Sequence, residues 1–191
     1  FALPQLTKEQ GHSGNYGLMD QIAALSWIEK NISAFGGDPG QITLGGQSGG
    51  TTKAVTQVIP PKNTVPVKRL ILQSGFNWDR EYPTQEQAEQ YGLERLHDLG
   101  LDKESALDEL RSLPASRFIL KKDPKNYQYG VNQDGMYVTD HSAKEAVKTG
   151  KLKQISIFAG TNLGEADYPR AKSKEEFYQT HRQLLGEFYE K

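Results

Sequence analysis

Apolar residues follow two different patterns along this chain. Between residues 18 and 33 they recur at helical spacing, which predicts a helix with a broad apolar face made of Ile22, Leu25, Trp27, Ile28 and Ile32. Short apolar runs predict strands at 41–46, 70–74 and 155–159, and a helix at about 50–58 follows the first of them. Short apolar strands separated by helices are typical of a parallel sheet with crossover helices, so we expect an α/β fold.

The rest of the chain differs in its pattern of polar and apolar residues. Residues 1–17 are predicted to form a glycine-containing loop, whereas residues 77–150 are charged and largely helical. Within that segment we expect three helices, at 84–99, 103–112 and 144–148, and one polar loop at 121–142. A last helix is expected at 174–189, because Ser173 and Glu176 form a capping-box pattern. The length suits a single domain over 1–191, with 77–150 as a helical insertion within it.

The segment 46–50 fits the pattern G-x-S-x-G between a predicted strand and a predicted helix. In such a nucleophile elbow Ser48 occupies a sharp turn that raises its hydroxyl above the carboxyl edge of the sheet. Gly46 and Gly50 relieve the crowding of that turn, and the N–H of Gly49 can donate to an oxyanion at the start of the helix. The alternative is a glycine-rich turn with an ordinary serine. A phosphate-binding loop is disfavoured, because G-x-x-x-x-G-K-[ST] is absent.

Several segments together carry a more specific pattern, in the order Asn-Tyr-Gly-Leu-Met-Asp-Gln at 15–21, Asn-Ile-Ser-Ala-Phe-Gly-Gly-Asp-Pro at 31–39, the elbow, Leu-Gln-Ser-Gly at 72–75 and Gly-Thr-Asn-Leu-Gly-Glu at 160–165. The chain thereby resembles the type-B carboxylesterase family, which includes the cholinesterases. Two positions depart from the family, which usually has Glu-Ser-Ala at the elbow and Asp-Glu-Gly around the acid. Here the residues are Gln47-Ser48-Gly49 and Gly164-Glu165-Ala166.

The resemblance implies the α/β-hydrolase fold, a mostly parallel sheet flanked by helices, of which this chain would hold the central part. It implies that Ser48 is the nucleophile and Glu165 the acid of a catalytic triad, in which the acid orients a histidine. It also places Ser74 near the acid as a supporting residue that hydrogen-bonds to Glu165. The alternatives are that Glu165 is a solvated loop carboxylate and that Ser74 is a buried serine bonded to the backbone.

The catalytic histidine is expected to lie outside this chain. In this fold the triad order is serine, acid, histidine, and of the four histidines only His181 follows Glu165. His181 falls in a helical pattern and is interpreted as a helix-surface residue, while His12, His97 and His141 resemble loop or helix-face residues. The glycine-rich oxyanion loop of the family is expected upstream of Phe1. We therefore interpret the chain as an internal fragment, inactive alone, whose partners are the missing parts of the same polypeptide.

The composition of the chain narrows the functional classes to which it can belong. A formal net charge of −1 and a pI near 6.5 argue against a nucleic-acid partner, and no apolar run approaches the roughly 20 residues of a membrane span. The absence of cysteine excludes disulfides, thiolate metal sites and a cysteine nucleophile within the chain; no metal or cofactor is expected. The cellular location stays open. The cytoplasm is slightly favoured, because no cysteine and no signal peptide is visible, although we expect a truncated N-terminus.

The leading function is hydrolysis of a small-molecule carboxylic ester through an acyl-enzyme on Ser48. One alternative is a non-catalytic binding or adhesion protein on the same fold, although such relatives usually lose the serine. Another is a lipase or peptidase of this fold with a different leaving group. The acyl and alcohol groups of the substrate and the oligomeric state are left open by the sequence, because specificity depends on the shape of the pocket.

Overall fold

The computed structural model describes residues 1–75, 78–101, 107–118, 130–162, 165 and 172–185, without the side chains of 181 and 183–185. The helices of these residues are α1 Pro4–Gln10, α2 Tyr16–Asn31, α3 Gly49–Val58, α4 Gln85–Asp98, α5 Leu107–Ser112, α6 Ala143–Lys148 and α7 Lys174–Leu185. The strands are β1 Ile42–Gln47, β2 Val67–Gln73 and β3 Ser156–Gly160. Short 3₁₀ turns lie at Ile32–Phe35, Pro39–Gln41 and Ala115–Phe118.

The predicted strands and the α/β class are confirmed. The strands form one sheet in the order β1-β2-β3, and β1 pairs with β2 in parallel, with Leu44 opposite Leu70 and Gln47 opposite Gln73. Helix α3 connects the two strands, as a parallel pair requires. Because Gln47 and Gln73 are the last residues of their strands, the segments that follow β1 and β2 emerge side by side at the carboxyl edge of the sheet.

The prediction of a loop over residues 1–17 is wrong in part, because residues Pro4–Gln10 form helix α1. Local chemistry explains this helix. Pro4 begins it, and Gly11 ends it in the left-handed conformation at φ 80°, donating its N–H to the oxygen of Thr7 at 2.7 Å. Proline at the start and glycine just past the end are the favoured termini of a helix. The residues that follow, up to Asn15, form the expected loop.

The main apolar core lies between α3 and the sheet. Val55 of α3 and Leu70 of β2 are fully buried, and Leu25 of α2 and Ala146 of α6 join the same cluster. Burial of such side chains is the main stabilising contribution to a fold of this kind. A second cluster, formed around Leu96 of α4, ties the helical segment to the amino-terminal residues.

The helices expected over 77–150 are observed in the part of that segment that the structure describes. Helices α4, α5 and α6 lie within it, and Thr84 caps α4 through the reciprocal hydrogen bonds of a capping box with Gln87. Residues 102–106, where the second of these helices was expected to begin, and 119–129, which include the first nine residues of the expected polar loop, lie outside the described residues. That 77–150 is an insertion stays a prediction.

The chain forms two compact units, Phe1–Ala159 and Gly160–Lys191. Helix α7 of the second unit begins as predicted: the Oγ of Ser173 accepts the N–H of Glu176 at 3.1 Å, while the Glu176 carboxylate accepts the N–H of Lys172 at 2.6 Å. Among the described residues, no helix has both the length and the apolar character needed to cross a membrane.

Large apolar side chains lie exposed on the first unit. Phe158 of β3 is 73% exposed, and all residues of that strand are exposed. Trp27 and Phe35 are 58% and 74% exposed, and their rings pack against each other at 6.4 Å between centroids. Bare apolar side chains of this size are what we expect of the central part of a larger fold, where another segment covers them.

Candidate active site

Ser48 joins β1 to α3 with the strained backbone that the elbow pattern predicts. Its φ of 53° and ψ of −122° lie outside the regions that a non-glycine residue normally occupies. Its N–H donates to the oxygen of Gln73 at 2.9 Å, which continues the pairing of β1 with β2 past the end of β1. Ser48 is exposed at this edge of the sheet. The next residue, Gly49, forms part of the wall of a cavity.

The crowding predicted for the elbow is found at Gly46. A Cβ on Gly46 would come within 2.2 Å of the carbonyl carbon and oxygen of Gly50 and 2.7 Å of the N of Thr51. A Cβ on Gly50 would meet no atom of the described residues within 4 Å. The tight contact is therefore between the side-chain position of Gly46 and the backbone of Gly50, because α3 begins directly against the end of β1.

Two further residues support the elbow and were assigned no role from the sequence. The Oγ1 of Thr51, which is fully buried, donates to the oxygen of Ser48 at 2.6 Å. A Cβ on Gly75 would lie 2.9 Å from the oxygen of Ser48 and 3.1 Å from its Cα, so only glycine fits against the turn. The signal for Thr51 is a hydroxyl three residues after the turn residue, where it can bond to the backbone of the first helical turn.

Ser74 follows β2 in the same way that Ser48 follows β1. Its φ is 50°, so each of the two neighbouring strands is followed by a serine with positive φ. Gln47 and Gln73, the residues before the two serines, pair directly across the sheet. Ser74 is half-buried. The expected hydrogen bond from Ser74 to Glu165 joins different units of the chain and stays a prediction.

Glu165 lies just past β3, as predicted. Its side chain is half-buried, and its Oε1 accepts the N–H of Asn162 at 2.9 Å, which holds the carboxylate against its own loop. Residues 164 and 166, where the chain departs from the family, lie outside the described residues. Ser48 and Glu165 belong to different units, so the bridging of the two by one imidazole stays a prediction. The backbone of His181 lies in helix α7, as expected.

His97 and His141 are exposed, the first on α4 and the second in the loop before α6, as predicted. His12 lies in the loop after α1 but is buried, which the sequence did not indicate. Its Nδ1 is 3.8 Å from the Oδ2 of Asp134, and its ring packs against Tyr137 at 5.4 Å between centroids. Burial against a carboxylate and an aromatic ring makes His12 part of the packing between two loops.

Asn15 lies directly before α2 and links the start of that helix to the 130–138 loop. It has a left-handed backbone at φ 54° and is buried. Its Nδ2 donates to the oxygen of Asn132 at 2.8 Å and to the Oδ2 of Asp134 at 2.9 Å, while its Oδ1 accepts the N–H of Asn132 at 3.0 Å. The Oδ1 of Asp134 also accepts backbone N–H groups of its own loop at 2.7–3.0 Å. These bonds hold α2 and the 130–138 loop in one arrangement.

A cavity of about 410 Å³ borders the elbow. Its walls include Gly49, Thr52, Lys53 and Thr56 of α3, the first turn of α2, residues 80–83 and residues 130–131. In this wall, burial raises the pKa of Tyr82 to about 12; Asp140 adds to the rise and Arg80 opposes it. The phenol of Tyr82 is therefore neutral at physiological pH.

The elbow places the hydroxyl-bearing Ser48 beside backbone N–H donors of α3. Helix α3 has no acidic residue in its first turn and no side-chain cap on its free N–H groups. The N–H of Gly49 and the positive end of the helix dipole are therefore available to negative charge that develops next to Ser48. Within the described part of the chain, no cluster of His, Cys, Asp and Glu is arranged to hold a metal ion.

Comparison with known proteins agrees with this geometry. The model of the Carboxylesterase family matches residues 5–188. The chain is 33% identical over 168 residues to a fumonisin B1 esterase of Sphingopyxis macrogoltabida, covering 86% of this chain and 31% of that protein. It is 32% identical over 165 residues to a cholinesterase of Mus musculus, covering 80% and 27%. A solved thermophilic PNB esterase superposes with a TM-score of 0.72 at 27% identity, covering 97% of this chain and 41% of that structure.

The chain thus spans between about a quarter and two fifths of the length of these relatives. The match extends over nearly all of its own residues, and it includes β1, the elbow and α3. The solved neighbour carries the α/β-hydrolase fold that the sequence predicts. This chain belongs to the carboxylesterase family.

Proposed function

We propose that this chain is the central part of a carboxylic ester hydrolase that forms an acyl-enzyme on Ser48. The observation that carries the proposal is the backbone of Ser48, held at φ 53° between β1 and α3 with Gly46 packed against Gly50. A serine is kept in such a costly conformation when the turn has a use for it. Membership of the carboxylesterase family supports the same reaction.

In the proposed reaction the Oγ of Ser48 adds to the carbonyl carbon of the ester while a histidine takes its proton. The N–H of Gly49 donates to the resulting oxyanion. Collapse of the intermediate breaks the bond to the alcohol, which leaves with the proton from the histidine. Water then adds to the acyl-enzyme in the same manner and releases the carboxylic acid, restoring Ser48. Glu165 orients the histidine and stabilises its charged form.

The histidine and further oxyanion donors would come from parts of the polypeptide outside this chain. We therefore expect the 191-residue chain alone to show no measurable hydrolysis of an activated short-chain aryl ester. Loss of one triad member removes most of the acceleration and leaves about 10³–10⁴-fold over water, which comes from binding and the oxyanion hole. The residual rate of this chain should be smaller than that, because it supplies one donor of the oxyanion hole, the N–H of Gly49, and the other donors would come from outside it.

The test uses the longer polypeptide that contains this chain. It should hydrolyse a 4-nitrophenyl ester and should be labelled covalently by an organophosphate. Ser48→Ala should abolish both, whereas Ser33→Ala, at an exposed serine away from the elbow, should change neither. Labelling that persists in Ser48→Ala, or rapid Ser48-dependent turnover by the 191-residue chain alone, would contradict the proposal. An intact, folded polypeptide with neither activity would favour a binding protein on this fold.

A further inference from the structure

Lys53 lies one helical turn after Gly49 and folds back towards it. Its Nζ donates to the oxygen of Gly49 at 3.3 Å, and it would lie 3.7 Å from a Cβ placed on Gly49. Lys53 and Gly49 both form part of the wall of the 410 Å³ cavity. A positive charge is therefore held beside the residue whose N–H would bind the oxyanion of an ester.

The fold gains little from this charge. The ammonium lies at the amino-terminal end of α3, where the helix dipole is positive and a cation is unfavourable. In the part of the chain that the structure describes, the oxygen of Gly49 is its hydrogen-bond partner, and no carboxylate lies within ion-pair distance of Lys53. An ammonium carries three donor hydrogens, so donors remain for a further acceptor.

The cavity around Lys53 suits an anionic group. Thr52 and Thr56 present hydroxyl-bearing side chains on the same helix, and Arg80 adds a second cation to the lining. Glu81 is the acidic residue of that lining, so positive groups outnumber negative ones in it. This charge balance favours a negatively charged acyl chain over a purely aliphatic one.

We propose that Lys53 is a specificity-determining residue that binds a carboxylate on the acyl part of the substrate, so that the preferred substrates are half-esters of short dicarboxylic acids. This inference rests on the proposed function, because the N–H of Gly49 fixes where the ester carbonyl lies. Four residues of helix span about 6 Å, and the Lys53 side chain shortens that separation by folding back. An acyl chain of succinyl or glutaryl length therefore reaches from Ser48 to the ammonium.

Direct binding to the 191-residue chain tests the site without turnover. The probes are N-methylglutaramate, which carries a carboxylate, and the neutral N-methylpentanamide, both inert amides, titrated while backbone amide signals are followed by NMR. The carboxylate probe should bind about 2- to 5-fold more tightly and should shift the Gly49 and Lys53 signals, as expected for one exposed ion pair. Lys53→Gln should remove this preference, and Lys53→Arg should keep most of it.

Lys62→Gln is the matched control, because it removes the same charge from an exposed lysine outside the cavity lining and should leave the preference unchanged. Equal binding of the two probes, binding of neither, or a preference that survives in Lys53→Gln would overturn the inference. So would equal loss of the preference in Lys62→Gln, which would indicate a general effect of net charge.

Kinetics of the longer polypeptide give a second readout. Mono-4-nitrophenyl glutarate should lose about 2- to 5-fold in kcat/KM on Lys53→Gln, while 4-nitrophenyl pentanoate should change less than about 1.5-fold. If Ser48 is labelled but both esters respond alike, the esterase function stands and the role of Lys53 is refuted. If the carboxylate probe binds at Lys53 while Ser48 is never labelled, the site stands and the esterase function fails.

Discussion

Gly46→Ala tests the packing on which the elbow depends. The new Cβ would lie 2.2 Å from the carbonyl carbon and oxygen of Gly50 and 2.7 Å from the N of Thr51, where ordinary contacts are 3.4–4 Å. All these atoms belong to the backbone, so no change of side-chain rotamer can relieve the overlap. Either α3 moves away from the end of β1 or the β1–β2 pairing distorts. Overpacking of this kind costs about 1–3 kcal/mol and occasionally more, so we expect a loss of about 3 kcal/mol in the free energy of unfolding.

Gly50→Ala is the matched control, because it makes the same chemical change four residues later. Its Cβ would meet nothing within 4 Å among the described residues. Gly50 lies in α3 with a helical backbone, where alanine is more favourable than glycine by up to about 1 kcal/mol. The two alanine variants should therefore change stability in opposite directions.

Urea titration of the 191-residue chain, followed by circular dichroism and by tryptophan fluorescence, measures both effects. Coincident transitions would justify a two-state treatment, and an unchanged m-value would attribute the shift to stability. We expect the two variants to differ by at least about 3 kcal/mol. A Gly46→Ala variant within about 0.5 kcal/mol of the parent, or a Gly50→Ala variant destabilised as strongly as Gly46→Ala, would refute the packing argument.

Three further substitutions test neighbouring features in the same assay. Asn15→Ala leaves a positive φ without an asparagine and removes three hydrogen bonds, two of them buried and one partly buried. A loss of about 3 kcal/mol is expected, and a loss below about 1 kcal/mol would contradict it. Thr51→Val removes the partly buried hydrogen bond to the oxygen of Ser48 and should cost about 1–2 kcal/mol, whereas Thr51→Ser, which keeps the hydroxyl, should cost less. Burial raises the pKa of Tyr82 from 10 to about 12, so the folded state holds the phenol proton that the unfolded state releases. Tyr82 therefore makes stability fall as pH rises from 10 to 12, by at most about 2.7 kcal/mol at about 1.4 kcal/mol per pH unit. In Tyr82→Phe this part of the fall should be absent, and an identical pH profile in the parent and the variant would count against it.

Much of the candidate site could be predicted from the sequence, because its signals are local. The apolar runs of strand length and the glycine spacing around Ser48 lie within a few residues of the features they predict. The order strand, sharp turn, helix follows from them, and it is what raises a hydroxyl above the edge of a parallel sheet. The helix α1 is also marked locally, by Pro4 and Gly11, although the prediction of a loop overlooked it.

Tertiary structure decided which atoms touch the elbow. Gly75 fits against Ser48 only because β2 lies beside β1, a neighbour that period and composition do not specify. Asn15 bonds to Asn132 across 117 positions of the chain, and no local pattern records that partner. Likewise His12, in a polar loop by sequence, is buried because the 130–138 loop covers it.

Most of the elements, the turn at Ser48 and the family resemblance could therefore be predicted from the sequence, because each depends on short-range sterics, periodicity or a motif. The packed structure was needed to show which glycine is indispensable, which hydroxyl supports the turn and where Lys53 lies relative to Gly49. Those properties depend on distances between backbone segments and on the direction of single side chains. Such distances are fixed when the sheet and its helices pack together, and the order of residues along the chain does not contain them.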